Sequence, residues 1–239
     1  MHQRIGIIGG LSAESTVSYY LEITRGYLAR FGDCGYPEIV IYSVNLEQYH
    51  RWRDLDRWDL ISTDLIQAAG ALRRAGADFA LIASNTMHKV FEAVERAAGM
   101  PMLHILDPTL RGIQAAGLDT VGLLGTRFTM RETFYRDRLE RGGVHALVPG
   151  AGEQEAIHRI IVEELVHGRF TEASRSRLRA SNDALGRRGA QGIILGCTEI
   201  PLLIGPADAS LPLFDSAALH ARAALERALA GPEAEGGRA

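Results

Sequence analysis

Two residues in this sequence pair reactive chemistry with a place at the end of an apolar run. Cys197 stands in Gly196-Cys197-Thr198-Glu199-Ile200-Pro201, and Ser84 stands in Ala83-Ser84-Asn85-Thr86-Met87-His88-Lys89. A thiolate is a base and a nucleophile, and a helix N-terminus favours the thiolate over the thiol. With a helix expected to begin beside it, Cys197 is expected to ionise near neutral pH; a buried structural cysteine is the plainer alternative. Ser84 is a poor base, because nothing local would bring a serine hydroxyl's pKa to neutrality. It can donate a proton to a carbanion, or simply cap the next helix. Asn85, Thr86 and Thr198, with the helix-start amides, offer donors for a carboxylate.

Two glycine-containing turns add candidates. Gly9-Gly10-Leu11-Ser12-Ala13-Glu14-Ser15-Thr16 and Gly125-Thr126-Arg127-Phe128-Thr129 each join an apolar run to a helical pattern. Neither has the G-x-G-x-x-G spacing of a dinucleotide site. Both would suit a small anion, or serve as ordinary strand-to-helix turns. Arg51, Arg53 and Arg127 could grip a carboxylate with two parallel hydrogen bonds. His88 and His104 follow apolar runs, where a lone histidine is usually a satisfied polar residue. Lys89 is the only lysine in the chain, so any Schiff-base chemistry would have to use it. Cys34 receives no role.

Short apolar runs are expected to form strands at 5–8, 38–44, 78–83, 102–106, 120–124, 144–148, 192–195 and 211–214. Helical patterns lie at 12–30, 55–76, 86–98, 108–116, 129–141, 153–167, 171–188 and 216–230. The strand candidates are continuously apolar, as strands buried on both faces are. Their alternation with helices predicts an α/β protein with parallel sheets. Ligands in such sheets bind beyond the carboxyl ends of the strands, which is where Ser84 and Cys197 fall.

The halves also repeat. Ile5-Gly6-Ile7-Ile8-Gly9-Gly10 recurs as Val121-Gly122-Leu123-Leu124-Gly125-Thr126, and the run from Ala77 into Ser84-Asn85-Thr86 recurs as the run from Ala190 into Cys197-Thr198-Glu199. Met102-Leu103-His104-Ile105-Leu106-Asp107 recurs as Leu211-Pro212-Leu213-Phe214-Asp215. Matches in one order at nearly constant offset predict two duplicated lobes. If the lobes faced each other, Ser84 and Cys197 would approach one cleft from opposite sides.

Composition narrows the function classes. The chain has 239 residues, 46% of them hydrophobic and 23% charged, enough for a large core. A net charge of -3 gives no general electrostatic reason to bind nucleic acid or an anionic membrane. No apolar run approaches the roughly 20 residues of a membrane helix, and the opening stretch is too short for a secretion signal. A cytoplasmic protein is the expectation. Two cysteines make no disulfide scaffold, and no Cys/His spacing resembles a zinc site. The tail 231–239 is expected to fray.

Taken as a set, Gly9-Gly10-Leu11-Ser12-Ala13-Glu14-Ser15-Thr16, Ser84-Asn85-Thr86-Met87-His88-Lys89, Leu124-Gly125-Thr126-Arg127, Phe170-Thr171-Glu172-Ala173-Ser174 and Gly196-Cys197-Thr198-Glu199-Ile200 resemble the aspartate/glutamate racemase family. The likeness runs from about residue 4 to 229 and is greatest to the family's broad-specificity bacterial branch. It implies two pseudo-symmetric α/β lobes with the site in a cleft between them, a homodimer, no cofactor and no metal. It also implies that the last strand and helix return to the first lobe. The lobes would then be 1–100 plus 211–230, and 101–210.

In that family two cysteines act on opposite faces of a substrate's α-carbon, one removing the proton and the other returning one. Cys197 falls on the second-lobe cysteine and Ser84 on the first-lobe position. Asn85, Thr86 and Thr198 fall on carboxylate binders, Thr126 lies in the matching second-lobe turn, and Leu11 and Arg53 fall near pocket-lining positions. Ser84 departs from the usual cysteine, although a threonine occurs there in the branch most resembled. The resemblance implies racemisation of aspartate or glutamate, and Ser84's departure from it leads us to expect an asymmetric course, Cys197 taking the L-enantiomer's proton and Ser84 donating to form the D-enantiomer. Two alternatives stay open: a decarboxylase or isomerase of small dicarboxylates using Cys197 alone, and a carboxylate-binding protein without catalysis.

Overall fold

A computed structural model describes residues 2–231. The expected frayed tail, Gly231 apart, lies outside the described residues. The chain forms two compact units, one of the residues up to Ala83, Val90–His104 and the chain from His220 onward, the other of Ser84–Lys89 and Ile105–Leu219.

The first unit is built from β1 (Ile5–Gly9), α1 (Ala13–Phe31), β2 (Ile39–Ser43), α2 (Leu46–Asp54), α3 (Trp58–Arg74), β3 (Phe79–Ile82), α4 (Phe91–Ala98) and β4 (Met102–Leu103). Its strands lie in the order β2-β1-β3-β4, all parallel, with Ile5 opposite both Ile39 and Phe79. Ser12 starts α1, its Oγ accepting from Ser15 N at 3.1 Å, and left-handed Gly32 ends it. Tyr19, Ile23 and Tyr27 turn one stripe of α1 inward.

The second unit contains α5 (Leu106–Ala115), β5 (Thr120–Gly125), α6 (Arg127–Arg131), α7 (Thr133–Arg141), β6 (His145–Leu147), α8 (Ala151–Arg159), α9 (Glu172–Arg187), β7 (Gly192–Gly196) and β8 (Leu213–Asp215). Its order is β6-β5-β7-β8, again all parallel. That is the first sheet's topology repeated four strands later, so the chain has two α/β lobes of one design. Continuous apolar strands are buried on both faces, as in β1, β3 and β7, which are buried throughout. A helix α10 (Ser216–Ala230) closes the chain, passing from the second unit into the first at His220.

Several expectations need correction: the helix expected over 129–141 is broken at Glu132 into α6 and α7, the one over 153–167 is α-helical only to Arg159, and three others differ as follows. The strand at 211–214 does not rejoin the first lobe, because β8 pairs with β7 through Ile193↔Leu213, Ile194↔Phe214 and Leu195↔Asp215. It stands to the second sheet as β4 stands to the first, the relation already present in the Met102/Leu211 repeat. Only from His220 does the chain return. The helix expected over 55–76 begins as α3 at Trp58, with Asp56 at φ 54 separating it from α2. The helix over 86–98 opens as a 3-10 turn, Thr86–Val90, before α4.

Candidate active site

The carboxyl ends of β5 and β7 lie in register, Gly125 opposite Gly196. A Cβ on Gly125 would come within 2.7 Å of Gly196 O, so both strands need glycine to close this near the next residues, Thr126 and Cys197. Cys197 is 6% exposed and packs in the second unit's core. Its Sγ donates to Glu199 Oε2 at 2.8 Å, and Thr198 Oγ1 donates to the same oxygen at 2.9 Å. Glu199 is itself buried.

This environment corrects the expected thiolate. Burial pushes the Cys197 thiol well above its ordinary value, and the neighbouring Glu199 charge adds to the rise. Amide hydrogen bonds from Glu199 and Ile200 oppose it only in part. Cys197 leads into a three-residue 3-10 turn, Ile200–Leu202, rather than an α-helix, so no aligned helix dipole offsets the desolvation. The resting sulfur is a thiol whose proton points at a carboxylate.

Ser84 opens a loop that leaves β3 yet belongs to the second unit. Asn85 is buried, with Oδ1 accepting from Tyr135 Oη at 3.1 Å and Nδ2 donating to Ser216 Oγ at 3.0 Å. Ser216 Oγ in turn donates to Leu195 O at 2.8 Å. His88 Nε2 accepts from Ile105 N at 3.1 Å, which leaves its hydrogen on Nδ1, donated to Ser84 O at 2.7 Å. Lys89 pairs with Glu132 at 2.7 Å. The half-buried Ser84 hydroxyl makes no hydrogen bond among the described residues, so the capping role open to it is not taken.

Thr86 joins a hydroxyl cluster. Its Oγ1 lies 2.9 Å from Thr126 Oγ1 and 3.5 Å from Thr129 Oγ1, and the latter two are 3.2 Å apart. Thr126 also caps α6, accepting from Thr129 N at 3.3 Å. The second unit thus gathers Ser84, Asn85, Thr86, Thr126, Cys197 and Thr198. Leu11 and Arg53 belong to the first unit. Leu11 is buried, and Arg53 holds Asp54 Oδ1 at 3.1 Å from Nη2. Arg51 pairs with Glu47 and Arg127 with Glu155. In the Gly9–Thr16 turn, Gly10 N donates to Thr16 Oγ1 at 2.8 Å.

Sequence reasoning passed over four residues. Glu199 stood inside the quoted motif, and a carboxylate two residues from a cysteine was signal enough. Thr129, Tyr135 and Ser216 meet their partners only through the fold. Among the described residues, no group of three or more His, Cys, Asp or Glu is placed to hold a metal ion, and no helix is long and apolar enough to cross a membrane.

Comparison with known proteins bears on this arrangement. A family model described as Asp/Glu/Hydantoin racemase matches residues 8–224. The fold is similar to a candidate Asp/Glu racemase from Yersinia pestis, at 43% identity and TM-score 0.87 over 95% of this chain and 99% of that one. It is similar to an aspartate racemase homologue from Pyrococcus horikoshii OT3, at 39% identity and TM-score 0.83 over 96% and 100%. In sequence it is 26% identical to a broad specificity amino-acid racemase from Bacillus subtilis (strain 168), over 95% of this chain and 98% of the relative.

Proposed function

Because the chain belongs to the Asp/Glu/Hydantoin racemase family, we propose that it racemises aspartate or glutamate by proton transfer on two faces of Cα, without a cofactor and as a homodimer. The observation that carries this reading is the 2.8 Å contact from Cys197 Sγ to Glu199 Oε2, in the same compact unit as the unengaged Ser84 hydroxyl.

The steps balance. Glu199 accepts the thiol proton, and the thiolate takes the α-proton of the L-amino acid, leaving a carbanion. Ser84 Oγ–H delivers a proton to the other face, giving the D-amino acid. Solvent then returns a proton to Ser84 and removes one from the Cys197–Glu199 pair. A thiol with a raised pKa gives a scarce thiolate but a strong base, which suits a weakly acidic C–H. The carbanion's charge spreads into the carboxylate. The Thr86–Thr126 hydroxyl pair and the second amide hydrogen of Asn85 supply donors for it, while the Thr198 hydroxyl stays committed to Glu199. Barrier reductions by enzymes are about 8–23 kcal/mol, and carboxylate stabilisation carries much of that here.

A hydroxyl can give a proton more readily than it can abstract one from carbon, so L to D is the faster direction. Free-solution equilibrium is unaffected; the asymmetry is kinetic. The test is incubation with each enantiomer of glutamate and aspartate in deuterated water. Deuterium should enter Cα from the L-enantiomer, and Cys197→Ala should abolish that entry. Ser84→Cys should accelerate the reverse direction. The presence of one cysteine, Cys197, among the candidate site residues favours a second reading, decarboxylation of a substituted malonate by Cys197 alone. Carbon dioxide release without Cα exchange in amino acids would establish that one instead, and binding without either would leave a carboxylate-binding protein.

A further inference from the structure

The motif Phe170-Thr171-Glu172-Ala173-Ser174 is part of the likeness drawn from the sequence, yet none of it enters the chemistry at Cys197. Its work in the fold is to start α9. Thr171 Oγ1 accepts from Ser174 N at 3.1 Å, and Ser174 Oγ donates to Glu164 Oε2 at 2.6 Å. The first turn of α9 is thereby fixed, and with it Arg175, whose amide donates to Thr171 O at 3.0 Å.

Arg175 reaches the segment that follows Cys197, inside the same compact unit. Its Nη1 donates to Leu203 O and to Asp208 Oδ2, the latter at 3.2 Å, while its Nε lies 3.3 Å from Glu172 Oε2. Asp208 is gripped from two more sides: Gly205 N donates to its Oδ2 at 3.0 Å, and Arg179 Nη2 lies 2.9 Å from its Oδ1. The Gly205 amide, then the two guanidiniums, hold its carboxyl below the usual range, so the clamp stays ionised.

What the clamp holds is the turn that carries the sulfur. From Cys197 to Ile204 the backbone closes on itself, Ile200 N donating to Cys197 O at 3.3 Å, and Leu203 N and Ile204 N to Ile200 O at 2.9 and 3.0 Å. Such a turn moves as a piece. Its opening amides, of Glu199 and Ile200, hydrogen-bond to the Cys197 sulfur. Burial of Ile200, Leu203 and Ile204 sets the depth of the turn, but apolar packing has no direction. A hydrogen bond to a carbonyl does.

We propose that Arg175 is a positioning residue for the reaction: by tying Leu203 O and Asp208 to α9, it orients the Cys197–Ile204 turn and so aims the Cys197 sulfur and Glu199. It acts through the turn and not on the substrate.

The inference rests on the proposed role of Cys197, so one readout is chosen that needs no turnover. Arg175→Ala should lower kcat for Cα deuterium entry by about 10–100-fold, with KM little changed. Arg175→Lys keeps the charge but cannot serve Glu172, Leu203 and Asp208 together, and should recover only part of the rate. Arg177→Ala removes an ion pair from the same helix, to Glu153, and controls for lost stability; its kcat should stay at the unmutated value. Amide exchange should report the same change without turnover. In Arg175→Ala the amides of Ile200, Leu203 and Ile204 should exchange about tenfold faster or more, while those of Gly192–Gly196 keep their protection. Should Arg175→Ala fail to fold, Asp208→Asn supplies the second variant. Its amide still accepts from Gly205 N but loses its pull on the two guanidiniums, so the same pattern is expected at smaller size. Unchanged kcat and turn protection in the folded variants, or equal losses in Arg175→Ala and Arg177→Ala, overturn the inference. Absence of Cα exchange in the unmutated protein overturns the proposed function instead, and turn protection then decides by itself whether Arg175 orients the turn.

Discussion

Asn85 Nδ2 donates to Ser216 Oγ across 3.0 Å, joining residues 131 apart in sequence. Tyr135 Oη feeds the Asn85 carbonyl, and Ser216 passes its own hydrogen to Leu195 O, two residues before Cys197. Tyr135 and Ser216 are fully buried, and Asn85 nearly so. A chain of donors thus ties the residue after Ser84 to the strand that ends just before Cys197. The carboxamide first expected only at the substrate is engaged here on both its atoms.

Ser216→Ala should cost stability and rate together. It strips a partner from Asn85 Nδ2 and from Leu195 O, and an unpaired buried group costs about 1–3 kcal/mol. A misplacement of about 1 Å at reacting groups can cost roughly 100-fold in rate. Urea denaturation and kcat for L to D conversion report the two losses. Ser216→Thr keeps the hydroxyl and should recover part of both; equal loss in the Thr and Ala variants would refute a hydrogen-bonding role.

Glu199→Gln should separate thiol acidity from catalysis. Glu199's charge raises the Cys197 pKa, so removing it should bring the thiol's titration down, read by thiolate ultraviolet absorbance. The variant also loses the proton acceptor, so Cα deuterium exchange should fall by about 10²–10⁴-fold despite the more available thiolate. Faster exchange alongside the lowered titration would show that Glu199 only hinders the sulfur.

His220 should make the fold acid-sensitive. Its Nε2 donates to Leu103 O and its Nδ1 accepts from Tyr19 Oη, both at 2.9 Å, and burial holds its pKa down at about 4, against an ordinary 6.5. Above pH 6.5 both folded and unfolded forms are neutral there, so it contributes no pH dependence. Between about 6.5 and 4 the unfolded chain takes the proton first, and stability falls by up to about 3 kcal/mol as pH drops. Urea midpoints across that range should show the slope, and His220→Gln should flatten it.

The parallel α/β class and the repeat were legible because strand burial and helix periodicity are written locally. Continuous apolar runs such as Ile5–Gly9 and Gly192–Gly196 need no distant information to be recognised. The turn residues after those runs were legible too, since a strand's carboxyl end is where reactive side chains collect. Boundaries were less so: β4 stops at Leu103 because Leu106 already begins α5, and nothing apolar marks that change.

By itself, then, the sequence determined the two-lobe design and the identity of the chemically able residues, Cys197 and Ser84. Tertiary structure alone decided their state and company. It buried Cys197 against Glu199 and so kept the sulfur protonated, gave β8 to β7, and drew Ser84's loop into the second unit through Tyr135, Ser216, Thr126 and Ile105. The physical reason is that desolvation and hydrogen-bond pairing depend on what lies nearby in space: apart from the local Cys197–Glu199 pair, the partners lie 17 to 131 positions apart and leave no periodic trace of meeting.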